Sequence, residues 1–175
     1  MPHWSDLKSK LADLDRARLI GLVHDLYAAS KDNQALLHAH FSIGSDALQP
    51  FKATINRWLR PDILMNQDIS VAKAKKAISD YKKAADQPEN LAELMVFYCE
   101  CAAGFSHDVG LEDEGYFDAL VRMFERALKI TVSLPEQIQT DLLQRLGEVR
   151  SLCRTFGYGV SDAMDLLLVD DGLDG

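Results

Sequence analysis

The chain has 175 residues, 47% of them apolar and 26% charged, with ten glycines and five prolines. That length suits one domain, able to bury about 70% of the surface its unfolded chain exposes without disulfides or metal. A net charge of −8 argues against nucleic acid or an anionic membrane as a partner of the chain as a whole. The charge is uneven: residues 1–49 hold 5 basic and 6 acidic side chains, residues 50–90 hold 8 and 5, and residues 91–175 hold 6 and 16. The acidic C-terminal half suits a basic protein partner, or a head-to-tail contact between copies.

The opening MPHWSDLKSK has no basic segment followed by an apolar run, and no apolar run nears the roughly 20 residues that span a bilayer. A cytoplasmic protein with no membrane partner is expected. Cys99, Cys101 and Cys153 are odd in number and sit in helical patterns, so they read as reduced small hydrophobes.

In chain order, Trp4 to Leu14 carries Leu7, Leu11 and Leu14, with Ser5 as N-cap. Asp15 caps the next helix, whose apolar face is Leu19, Leu22, Val23, Leu26 and Tyr27, ending near Ser30. Small DNA-binding hairpins carry leucines like these, but no basic face accompanies them, so packing is the expected use. Asp32 to Phe41 forms a third helix with Leu36, Leu37 and Phe41 inward. His38 and His40 are two apart, the wrong helical spacing for a shared metal. Ser42 to Ser45 reads as a turn, and Ser45 or Asp46 caps a helix through about Arg60 that Pro50 makes begin late. Its core face is Ile55, Trp58 and Leu59, with Lys52, Arg57 and Arg60 wet.

Ile63 to Ile69 is irregular. Ser70 caps a helix to about Asp86, with Val71, Ala74, Ala77, Ile78 and Tyr81 inward. Its lysines, Lys73, Lys75, Lys76, Lys82 and Lys83, are the best nucleic-acid hint in the chain, though such clusters are usually solvated helix faces. Pro88 opens the longest apolar pattern: Leu91, Leu94, Met95, Tyr98, Cys101, Ala102 and Phe105 share one face, ending between Phe105 and Gly110. Asp113 or Glu114 starts the next helix, with Phe117, Leu120, Val121, Phe124 and Leu128 inward and i,i+4 pairs Asp118/Arg122 and Glu125/Lys129 outward. Pro135 begins a helix with Ile138, Leu142, Leu146, Val149, Cys153 and Phe156 inward. Gly157-Tyr158-Gly159 breaks it, and a short last helix holds Met164, Leu167 and Leu168.

This pattern predicts an all-α fold of about eight helices in antiparallel hairpins, an α-α superhelix or an irregular helical bundle. Residues 1–168 form a single helical domain and residues 169–175 an acidic C-terminal tail. Phe124, Ala127 and Pro135 echo a tetratricopeptide unit, but the proline falls too late and the upstream aromatic and glycine are missing.

No phosphate-binding loop, dinucleotide fingerprint or nucleophile elbow is present, so no catalytic residue or cofactor is assigned. The loop DVGLEDEG matches a calcium loop only in charge, since Asp113 stands where glycine is needed. One stripe draws interest: Glu93, Phe97, Glu100, Gly104 and His107, followed by Glu112 and Tyr116. It reads either as a polar pocket beside Gly104 or as a half-exposed helix edge with Gly104 allowing a tight helix crossing; the second is preferred. Glu93, Glu100 and His107 lie about 10.5 Å apart in rise, too far for one metal ion.

The strings ISDYKKAADQPENLAELMVFYCECAAGFSHDVG, LEDEGYFDALVRMFERAL and LADLDRARLIGLVHDLYAASKDNQALLHAHF resemble a family of uncharacterised bacterial all-helical proteins. The resemblance implies a bacterial cytoplasmic protein and carries over no catalytic residue. The expected function is a non-enzymatic helical interaction module, an adaptor or scaffold using its acidic C-terminal half. The alternatives are a ligand binder or enzyme with a pocket near Glu100, His107 and Tyr116, and a nucleic-acid-associated protein using Lys73–Lys83.

Overall fold

A computed structural model describes residues 3–41, 43–44 and 47–170. These form nine α-helices and two short 3-10 turns, with no strand among the described residues: α1 Trp4–Ala12, α2 Arg16–Ala29, α3 Lys31–His40, α4 Gln49–Leu59, α5 Val71–Ala84, α6 Pro88–Val109, α7 Glu114–Thr131, α8 Glu136–Leu152 and α9 Val160–Asp170, with the turns at Ile63–Met65 and Cys153–Thr155. Among the described residues no helix is long and apolar enough to cross a membrane.

Local chemistry explains most boundaries. Asp15, Ser30, Ser70 and Asp113 accept backbone N–H bonds from Arg18, Asn33, Lys73 and Tyr116, so α2, α3, α5 and α7 start on capping side chains. Pro50 sits in the first turn of α4 and Pro88 in that of α6, where proline removes no needed donor. Gly110 ends α6 at φ +62°, a left-handed cap that an L side chain would strain. Asp118/Arg122 and Glu125/Lys129 form the expected i,i+4 pairs on α7.

Several boundaries and orientations differ from the expectation. The N-cap of α1 is His3, not Ser5: the His3 N–H donates to Asp6 at 2.8 Å, so the helix starts two residues before a Ser5 cap would start it. Phe41 is exposed, because Ala35 and Ala39 are the buried face of α3. Lys52 is not wet but turned onto Glu93 at 2.7 Å. The last helix runs to Asp170, so Val169 and Asp170, assigned to the tail, are helical. Ser42, Ser45 and Asp46, read as turn and cap, lie outside the described residues, as do residues 171–175.

Substantial helix contacts join only neighbours one or two apart in the chain: α2 with α3, α3 with α5, α4 with α5 and α6, α5 with α6, α6 with α7 and α8, α7 with α8 and α9, and α8 with α9. That is the pattern of a layered helical array, in which each hairpin packs on the next. A cluster of buried side chains runs through it from Ala35 to Met164. α6 is its axis, with twelve of its 22 residues buried. A helix apolar on most sides must be covered on most sides, and α4, α5, α7 and α8 cover it. At the N-terminal end, α1 and α2 contribute no buried residue.

Candidate functional site

The stripe on α6 lies in the seam between α4 and α8. Arg145 of α8 reaches across it: its Nη1 and Nη2 donate to Glu93 at 2.5 and 3.2 Å, and its Nε and Nη2 to Glu100 at 2.7 and 2.9 Å. Lys52 of α4 donates to the same Glu93 at 2.7 Å and lies 5.3 Å from the Phe97 ring centroid. Two carboxylates are thus answered by two cations, and the forked guanidinium satisfies both acids at once. Burial opposes ionisation of Glu93, but hydrogen bonds and charge from Arg145 and Lys52 outweigh it and hold its pKa below the ordinary value. The carboxylates raise the pKa of Arg145, chiefly through its hydrogen bonds to Glu100, so its charge is permanent.

Gly104 has a different role from both expected readings. A Cβ placed there would meet no helix backbone; its nearest neighbour is the Arg60 guanidinium, at 3.4 Å. The Arg60 side chain passes over α6 at this bare position to Asp108, where its Nη2 sits 2.8 Å from the carboxylate. Tyr116 is buried, and its hydroxyl donates to the Leu59 carbonyl at 2.9 Å. That carbonyl belongs to the last turn of α4, which has no acceptor-satisfying partner within its own helix. Burial raises the Tyr116 pKa, keeping the hydroxyl protonated as a donor.

His107 and Glu112 line a separate cavity of about 120 Å³ with Ser106, Phe117, Thr155 and Phe156. The Ser106 hydroxyl is buried without a hydrogen-bond partner. The predicted residues therefore divide: Glu93, Phe97 and Glu100 belong to the Arg145–Lys52 network, Gly104 to the Arg60 crossing, Tyr116 to the α4 terminus, and His107 and Glu112 to the small cavity. Among the described residues no three His, Cys, Asp or Glu side chains gather to hold a metal ion. All three cysteines are free and buried, and burial pushes the thiols of Cys101 and Cys153 up to about 12, where they carry no thiolate reactivity at neutral pH.

Two further concavities lie at the other end of the array. One, of about 440 Å³, is walled by Val23 of α2, Leu36, Leu37 and His40 of α3, Phe41, and Asp80, Lys83 and Ala84 of α5. An adjoining one of about 320 Å³ shares Leu36 and Asp80 and adds Phe51, Thr54 and Trp58 of α4 with Lys73 and Lys76 of α5. Together they make a groove with an apolar floor. Lys73 stands 3.7 Å over the Trp58 ring, which also carries Arg57 at 4.5 Å. Lys76 pairs with Asp80.

Above this groove runs α2, whose stripe was expected to pack. Leu19, Ile20, Leu22, Val23 and Leu26 are all exposed, as are Trp4 and Leu7 on α1. Hydrogen bonds hold α2 to α3 instead: Asn33 donates to the Leu26 carbonyl at 2.7 Å, Gln34 to the Tyr27 carbonyl at 3.2 Å, and the Tyr27 hydroxyl lies 3.2 Å from His38 Nε2. His40 bonds to the Ala84 carbonyl, tying α3 to the end of α5. This groove is not evident in the sequence, where the α2 stripe reads as DNA-binding or packing and the α5 lysines as a nucleic-acid hint or a solvated face, each helix by itself. The signal available was the pairing of an apolar stripe with a lysine-rich neighbour.

Compared with family models, curated proteins and solved structures, the chain matches none.

Proposed function

We propose that the chain is a non-enzymatic helical interaction module, and that it receives an amphipathic helix with acidic flanks in the groove between α2, α3 and α5. One observation supports this above the others: α2 has an apolar stripe at helical spacing, yet none of its residues is buried. Leaving such side chains half in water forgoes about 1 kcal/mol each relative to burial, and exposed apolar patches beside a cleft mark binding surfaces. A helix laid in a groove through i, i+3, i+4 and i+7 anchors fits that shape. Of the five α5 lysines, Lys73, Lys76 and Lys83 line the groove against Asp80 and Asp32, a small basic excess that favours acidic flanks. The docking surface is then N-terminal, rather than the acidic C-terminal half.

The other readings have less support. A ligand site at Glu100 and His107 would have to compete with Arg145 for the carboxylate. A nucleic-acid role for Lys73–Lys83 would draw on lysines of which Lys73 is stacked on Trp58 and Lys76 is paired.

The test uses a Trp4→Phe background, so that Trp58 reports. A synthetic helical peptide with a leucine face and glutamate ends should produce a saturable change in Trp58 emission. A lysine-ended peptide with the same apolar face should bind more weakly. Val23→Asp and Phe41→Asp, both at exposed positions, should each weaken binding by about tenfold or more, as loss of an anchor does. Absence of saturable binding, or binding indifferent to both substitutions, overturns the proposal.

A further inference from the structure

A layered helical array has two ends, and a soluble one normally caps each with a polar face. Here both terminal faces are apolar at their centres. At the N-terminal end, the groove floor and α2 present Val23, Leu37 and Phe41. At the C-terminal end, α9 turns Asp162, Leu166, Val169 and Asp170 outward, at positions i, i+4, i+7 and i+8 of one helix face. Leu166 and Val169 are 65% and 51% exposed, too much for side chains that pack within their own array. The face thus has two apolar anchors between two carboxylates.

The opposite ends are matched in apolar character and complementary in charge. α9 holds Asp162, Asp165 and Asp170 and no basic residue, and Asp165 is paired with Arg150. That leaves Asp162 and Asp170 to face outward. The groove has Lys83 on its wall and Lys82 beside it, both exposed. We infer that the chain associates head to tail, with the outward face of α9 of one copy seated in the α2–α3–α5 groove of the next. Leu166 and Val169 rest on Val23, Leu37 and Phe41, and the flanking aspartates meet the α5 lysines. This rests on the reading of the groove as a helix-docking site and names a second copy as the occupant. A contact between two different surfaces closes into a ring when the rotation permits and otherwise continues as a filament.

Sedimentation velocity of the full chain tests it. The mass of the wild type should exceed the 19.5 kDa of one copy and rise with protein concentration, and it should fall with added salt because the flanking charges are screened. Val23→Asp/Phe41→Asp removes the groove and Leu166→Asp/Val169→Asp removes the α9 face; each variant alone should sediment as a single copy. Mixed together, the two should form a one-to-one pair and nothing larger, since one intact groove meets one intact α9. Circular dichroism matching the wild type shows that both variants are folded, and the milder pair Lys83→Glu and Asp170→Lys should each weaken association and together restore it. A wild type that stays a single copy at every concentration overturns the inference. So does association that survives loss of the α9 face, or failure of the mixed variants to pair. If the glutamate-ended peptide binds the groove while the chain stays a single copy, the groove reading stands and only the head-to-tail contact fails.

Discussion

α2 and α6 carry apolar stripes of similar regularity, and the fold treats them in opposite ways. On α6, Leu91, Leu94, Met95, Tyr98 and Cys101 are all buried, and four other helices surround them. On α2, Leu19, Leu22, Val23 and Leu26 remain in solvent beside a groove. The difference is one of position. α6 lies mid-array, with helices both before and after it in the chain to cover it. α2 lies at an end, where only α3 packs substantially against it. Amphipathic spacing states that a face gains by burial, but it does not state whether the same chain supplies the cover. A stripe left open at the end of an array is therefore a place where an external surface can complete the core.

The sharpest break of this comparison is a matched pair of truncations. Leu94→Ala, at a fully buried position, should destabilise the fold by about 2–5 kcal/mol in urea unfolding, whereas Leu26→Ala on α2 should change stability by about 0.5 kcal/mol or less. Equal losses would mean that α2 is packed into the core after all.

Next in size is Arg145→Ala. It takes the guanidinium from Glu100 and leaves Glu93 with Lys52 alone, and should cost about 3 kcal/mol, because a partly buried network is being broken on one side only. Acid should reproduce part of that loss. The Glu93 pKa is lower folded than unfolded, so its contribution is present above its unfolded value of about 4.3 and disappears as pH falls through the lower folded value. Denaturation of the Glu93→Gln variant should accordingly show a shallower loss of stability on acidification than the wild type. An identical acid profile would remove Glu93 from the account.

Tyr116→Phe deletes only a hydroxyl, but leaves the Leu59 carbonyl without its donor and should cost about 1–3 kcal/mol. A neutral outcome would mean that water reaches that carbonyl. A small gain is expected at Gly104→Ala. The new methyl meets only the movable end of Arg60, so recovered helix propensity should stabilise α6 by about 0.5–1 kcal/mol. A loss of stability there would indicate that Arg60 is rigidly held over α6.

Periodicity and punctuation made much of the fold legible before any coordinates. Asp15, Ser70, Asp113, Pro88 and Gly110 are local devices that act through backbone bonds to near neighbours, so their effects were readable from the order of residues. The inward faces of α5 to α8 were readable for the same reason, since 3.6-residue spacing is a property of one helix alone. What tertiary structure decided was every relation between distant residues. Glu93 and Glu100 left both a polar pocket and a half-exposed helix edge open, with the edge preferred, until Arg145, 52 and 45 positions away, proved to be their partner. Tyr116 suggested a pocket wall until its hydroxyl was found on Leu59. Phe41 and the α2 leucines read as core because a stripe records a preference for burial and nothing about supply. The groove at the N-terminal end was invisible in the sequence because α2, α3 and α5 build it jointly, and no local pattern encodes which faces of separate helices will remain unmet.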